Sequence, residues 1–175
     1  MVITIFTIGH SVRSIDEFLS LLRAAEIERV VDVRRLPGSR RNPQFDEDAL
    51  RDSLEAAGIA FTRIPELAGR RPVSKDVPFE TNAFWQNRSF HNYADHALSP
   101  GFRSGLDELI GLGGELRTTV MCSEAVWWRC HRRIIADHLL ARGEEVIHVM
   151  DNGRLTPAEL TDGAVVDGGT VVYPG

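Results

Sequence analysis

A chain of 175 residues, 43% hydrophobic and 26% charged, can bury a full core and has the composition of an ordinary globular protein. None of its apolar runs approaches the ~20 residues that span a bilayer, and Val2 to Ile8 is too short and too uncharged at its start for a secretion signal. A cytoplasmic protein without a membrane partner is therefore expected, and a net charge of −5 excludes polyanion binding by bulk charge.

In chain order, Val2 to Ile8 reads as a central strand ending at Gly9-His10-Ser11. Ser14 or Ser11 caps a helix in which Ile15, Phe18, Leu19, Leu22 and Ala25 keep helical spacing. Arg29 to Val33 is a second strand, and Arg34 to Pro43 a loop punctuated by two prolines and a glycine. Asp46 opens a helix closed by Gly58, and Ile59 to Ile64 is a third strand. Pro65 to Asn87 is a long irregular stretch, of the kind that is usually functional or disordered in compact domains. His91 to Ala97 and Phe102 to Leu112 read as helices, the second ended by Gly111, Gly113 and Gly114. Leu116 to Met121 is a buried strand, the region from Arg129 a helix, and Val146 to Met150 a fifth strand.

Strands alternating with helices predict an α/β fold: a single-domain three-layer sandwich with a mainly parallel sheet. Residues 1–150 form that domain. Residues 151–175, with short valine runs around Asp167-Gly168-Gly169, form an extension packed on it as a β-hairpin tail.

A parallel sheet brings its strand ends to one edge, where ligands of open α/β sheets bind. There it gathers His10, Asp32 with Arg34, Glu66, and Cys122 with Glu124. Arginines cluster in the adjoining loops, and Lys75 is the only lysine among the 20 basic residues. Cys122 and Cys130 bracket the strand-to-helix turn that precedes His131 and Arg132. A thiol at a helix N-terminus near Arg and His has a lowered pKa, although a buried cysteine is more often only a small core residue. Asp32 has a structural alternative in pairing with Arg34, and His10 one as a satisfied buried imidazole.

Thr7-Ile8-Gly9-His10-Ser11, Val31-Asp32-Val33-Arg34 with Pro37, Ser39-Arg40, Pro43 and Phe45, then Tyr93-Ala94-Asp95, and Met121-Cys122-Ser123-Glu124 with Cys130-His131-Arg132 are spaced motifs. On these the chain resembles the family catalogued as domain of unknown function 488, from Thr7 to about Val149. It departs from that family in lacking a proline near Val126 to Trp128 and a second glycine near Ala68. The resemblance implies a compact α/β domain and no particular reaction. Ser39 and Tyr93 join the ligand-binding candidates through these motifs.

The first reading is an enzyme or ligand-binding pocket for a phosphorylated or nucleotide-like small anion. Cys122, Glu124, His10 and Asp32 are its catalytic candidates. Arg34, Ser39, Arg40, Tyr93, Arg129, Cys130, His131 and Arg132 are its ligand-binding candidates, the arginines offering bidentate contacts to the anion. A phosphate or sulfate is expected against the helix that begins near Arg129. Ranked lower is transfer through Cys122 of the rhodanese or cysteine-phosphatase kind. The Asp-Val-Arg strand end is similar to that of rhodaneses, but the phosphatase spacing of Cys, five residues and Arg meets Trp128 after Cys122 and Ala136 after Cys130. The third reading is a nucleic-acid-binding module, supported by the arginine clusters with Trp127 and Trp128 and opposed by net charge. Cys122, Cys130, His131 and His10 match no standard zinc spacing, so no metal is expected. The sequence leaves both the cofactor and the oligomeric state open.

Overall fold

Successive side chains of the central strands turn to opposite faces of the sheet, and that alternation builds the layers. A computed structural model describes residues 1–36, 38 and 40–175. Its strands are β1 (Thr4–Gly9), β2 (Arg29–Asp32), β3 (Ala60–Arg63), β4 (Thr118–Cys122), β5 (Glu145–Val149), β6 (Leu155–Pro157), β7 (Val165–Asp167) and β8 (Thr170–Val172). Its helices are α1 (Ile15–Ala24), α2 (Glu47–Ala56), α3 (Arg88–His96), α4 (Pro100–Glu115) and α5 (Arg132–Ala141). Ile5, Val31, Val120 and Cys122 turn to one face of the sheet and join residues of α3, α4 and α5 in one core. Phe6, Ile8, Val30 and Met121 turn to the other face and meet Phe18 and Leu22 of α1 with Leu50 and Leu54 of α2. Strands covered on both faces read as continuous apolar runs, which is why they are visible in the sequence.

The main sheet has the order β3-β2-β4-β1-β5-β6. The first five of these strands run parallel, and β6 pairs antiparallel with β5. β7 and β8 form a separate antiparallel hairpin. The chain leaves β1 through α1 on one face and leaves β4 through α5 on the other. The carboxyl ends of the adjacent strands β1 and β4 therefore border a crevice.

Several local expectations are corrected. β1 starts at Thr4 because Val2 is exposed. α1 is capped by Ser14 in a reciprocal box with Glu17, so Ser11 is free for another role. The glycines expected to end α4 lie inside it, since the helix continues to Glu115. Gly113 is there for contact, because a Cβ would sit 2.4 Å from Ile5 Cδ1. The helix expected from Arg129 is a 3₁₀ turn at Trp127–Arg129, and α5 begins at Arg132. β6, within the stretch read as a tail, extends the main sheet. Beyond it, Val171 and Tyr173 enter the core beside α5, and the Tyr173 hydroxyl donates to Asp137 Oδ2 at 2.7 Å. Among the described residues no helix is long and apolar enough to cross a membrane.

Candidate functional site

The loop after β4 crosses directly over the end of β1. Backbone bonds from His10 N to the Cys122 carbonyl (2.9 Å) and from Ser11 N to the Ser123 carbonyl (3.0 Å) join the two segments. Only glycine fits beneath: a Cβ on Gly9 would lie 1.7 Å from the Glu124 carbonyl oxygen. Ser11 takes φ 51 and Arg70 φ 56, and both line the cavity that opens here. Such backbone conformations cost of order 1–3 kcal/mol each and cluster at functional sites.

The floor is a sulfur centre. Cys122 ends β4, and Cys130 is the extended residue between the 3₁₀ turn and α5, not a first-turn residue of a helix. Their sulfurs are 2.7 Å apart, and both thiols are free and buried. The Arg132 backbone N–H donates to the Cys130 sulfur at 3.4 Å. The N-cap of α5, His131, supplies no capping side chain, so the sulfur occupies the place where an anion was expected. His131 Nε2 lies 3.0 Å from the Val33 carbonyl, which can only accept. Nε2 therefore carries the proton, and Nδ1 faces the Cys130 sulfur at 3.5 Å. Burial keeps His131 below its usual pKa and hence neutral. Gly69 makes room for this ring, since a Cβ there would be 2.8 Å from Nδ1.

Arg132 is 1% exposed. Its guanidinium donates to Thr7 Oγ1 (3.0 Å) and to the Glu124 carbonyl (2.8 Å), while Nε has no partner. Among the described residues no carboxylate pairs with it, and the acidic groups acting on it are the two thiols. A buried cation requires a counter-charge. Burial alone would raise the Cys130 thiol. The bond from Cys122, the Arg132 charge and the Arg132 N–H outweigh it and bring Cys130 down to about 7. Cys122 is pushed well up by burial and by its neighbour, so it stays protonated.

Asp32 is fully buried and committed to Arg34, receiving its backbone N–H (2.9 Å), its Nε (3.0 Å) and its Nη2 (2.8 Å). Arg34 Nη1 donates to the Phe45 carbonyl at 2.7 Å and faces His10 Nε2 at 3.3 Å. His10 Nδ1 donates to the Ser11 carbonyl at 2.8 Å, and its ring stacks on Phe45. Burial, aided by Arg34, holds His10 down to about 4. These three residues thus form a neutralised brace beside the sulfur centre.

The cavity above encloses about 700 Å³. Of the predicted residues, His10, Arg34, Tyr93, Cys122, Glu124, Arg129, Cys130 and His131 line it. Asp32 and Arg132 are not on its wall; each holds a residue that is. Arg40 is exposed and outside the lining, and Ser39 lies outside the described residues. Tyr93 is buried with its hydroxyl donated to the Leu67 carbonyl at 2.7 Å, so that hydroxyl is committed to the scaffold. Glu66 keeps its backbone carbonyl on His96 and is absent from the lining. Exposed Arg35, Arg41, Arg70 and Arg129 make a cationic rim, and Glu124 is the one acidic side chain among the lining residues. Other arginines of the sequence clusters are braces: Arg63 donates to the Arg34 and Arg35 carbonyls, and Arg71 to those of Ala68 and Pro65.

Sequence reasoning missed Thr7 and His148, which together orient Arg132. His148 Nδ1 is 2.6 Å from Thr7 Oγ1, and Trp127 stacks on the His148 ring at 4.5 Å. Their signal was a polar residue inside each of two apolar strands. Among the described residues no group of three or more His, Cys, Asp or Glu side chains is arranged to hold a metal ion.

A family model described as "Domain of unknown function DUF488" matches residues 14–139. No curated protein and no solved structure matches the chain.

Proposed function

The chain belongs to the DUF488 family, and we propose that it is an enzyme acting on a small phosphorylated, nucleotide-like or carboxylated anion, with Cys130 as nucleophile. One arrangement carries this: the Cys130 sulfur receives the Arg132 N–H at 3.4 Å beside the buried Arg132 charge, which favours its thiolate, at the floor of a cavity rimmed by arginines. Arg41, Arg70 and Arg129 hold the substrate's charged group, with the fork geometry that suits carboxylate and phosphate. His131 Nδ1 takes or returns the Cys130 proton. Arg132 holds the thiolate, and Thr7 with His148 holds Arg132.

The test is alkylation with iodoacetamide between pH 5 and 10, mapped by peptide mass spectrometry. Cys130 should label with a midpoint near 7, and Cys122 should not. A thiol of pKa about 7 is half ionised at neutral pH, roughly 15-fold more than free cysteine. Its lower intrinsic nucleophilicity takes back about fivefold, leaving roughly a threefold rate advantage. Inorganic phosphate, sulfate or a nucleotide should slow the labelling. Labelling of both cysteines no faster than free cysteine, with no protection by any anion, would end this reading. Steeply salt-dependent binding of single-stranded DNA without such protection would favour a nucleic-acid surface formed by the rim and exposed Trp128.

A further inference from the structure

Acyl or phosphoryl transfer needs a single sulfur, because water can resolve the intermediate. This cavity holds two. We infer that Cys130 and Cys122 are a nucleophile and resolver pair that reduces a small anionic disulfide, a reading that rests on Cys130 being the nucleophile of the arginine-rimmed cavity.

Four observations converge. The sulfurs are 2.7 Å apart across the junction of β4 and α5, so the second thiol already stands beside the bond it would break. They differ in role, since Cys130 receives the Arg132 N–H while Cys122 lies at the strand end with its sulfur 3.6 Å from the Glu124 carbonyl. His131 Nδ1 stands 3.5 Å from the Cys130 sulfur as a proton acceptor. The buried Arg132, with a free Nε and no carboxylate, favours thiolate at either sulfur. The cavity selects among oxidants. A peroxide is small and neutral and needs neither about 700 Å³ nor a rim of four arginines. A carboxylate-bearing disulfide of peptide size uses both.

The chemistry balances. The Cys130 thiolate attacks one sulfur of R–S–S–R. The substrate S–S bond breaks, one RS⁻ leaves and takes a proton from water, and a Cys130–S–S–R mixed disulfide remains. Cys122 gives up its proton to the departing group as its sulfur attacks the Cys130 sulfur. The second RS⁻ leaves with that proton. The protein dithiol loses two electrons and becomes a Cys122–Cys130 disulfide, while the substrate gains them as two R–SH. An external thiol then restores the pair by the same exchange.

Reduced full-length protein mixed with glutathione disulfide tests this. Wild type should release two glutathiones per chain and end with a Cys122–Cys130 linkage in its peptide map. Cys122→Ser should release one and stop as the Cys130 mixed disulfide, and Cys130→Ser should not react. Phenylarsine oxide, which bridges paired thiols, should block iodoacetamide on wild type at one equivalent. That measurement, with wild-type stoichiometry, decides the matter even if a variant fails to fold. Release of a single glutathione by wild type, or failure of the arsenical to block at one equivalent, overturns the inference. If Cys130 still labels fast and phosphate still protects it, only the dithiol inference falls and the anion-pocket reading stands. If Cys130 does not label fast, both fall.

Discussion

Acid should destabilise this protein in a window set by its buried histidines. Burial holds His10 down to about 4, and His138 and His148 down to about 3, with neighbouring arginines adding to the effect. The unfolded chain has its histidines near 6.5. Between those values the unfolded state binds more protons, so stability is fully present above about pH 6.5 and is lost as pH falls below it. From pH 7 to 5.5 each of these imidazoles removes about 1 kcal/mol, hence roughly 3–4 kcal/mol for the three. His96 and His131, also lowered by burial, add in the same direction, while Asp137, raised by burial, opposes. A loss of that size is a large share of the roughly 5–15 kcal/mol that holds a domain together. Urea unfolding at the two pH values measures it. His138→Leu isolates one contribution, because the His138 Nε2 has no hydrogen-bond partner to lose. That variant should flatten the pH dependence by about 1 kcal/mol. Equal stability at pH 7 and 5.5, or an unchanged slope in the variant, would refute the reasoning.

Two substitutions probe the scaffold of the site. Gly9→Ala drives a methyl group into the Glu124 carbonyl and should cost roughly 3 kcal/mol or more, a Tm drop of about 10 °C by thermal scan; a Tm near the wild-type value would mean that the loop has room to move. Arg34→Lys replaces a fork on buried Asp32 by one ammonium and should cost about 2–4 kcal/mol in urea unfolding, an outcome contradicted if the two midpoints coincide.

The fold was legible where burial writes a simple pattern. Val30 and Val31 read as a strand because both faces of the sheet are covered, and Ser14 with Glu17 announced the start of α1. Legibility failed where one residue type has two uses. Gly113 reads as a helix stop and acts as a contact with Ile5. The start of α5 was blurred because the 3₁₀ turn continues the helical spacing and the customary capping hydroxyl is replaced by a sulfur. At the site, residues at strand ends such as His10, Arg34 and Cys122 were visible from topology alone. Gly69 and Arg70 were not, since the loop that carries them has no period to read. The division of labour between Cys122 and Cys130 depends on a guanidinium oriented by Thr7 and His148, which is information no local window contains.

The position of β1 has a consequence for biosynthesis. It is an inner strand, yet both of its partners, β4 and β5, lie more than a hundred positions downstream. At roughly 5–20 residues per second, the ribosome leaves this apolar segment without a neighbour for about 5–20 s. Within the sheet, only β2 and β3, linked through α2, can pair during that interval. Chaperone supply and temperature during synthesis should therefore limit the yield of this protein more than its final stability does. The same delay times the chemistry: Arg132 meets Thr7 only when β1 has docked, so until then Cys130 lacks its oriented cation and is an ordinary thiol on a nascent chain.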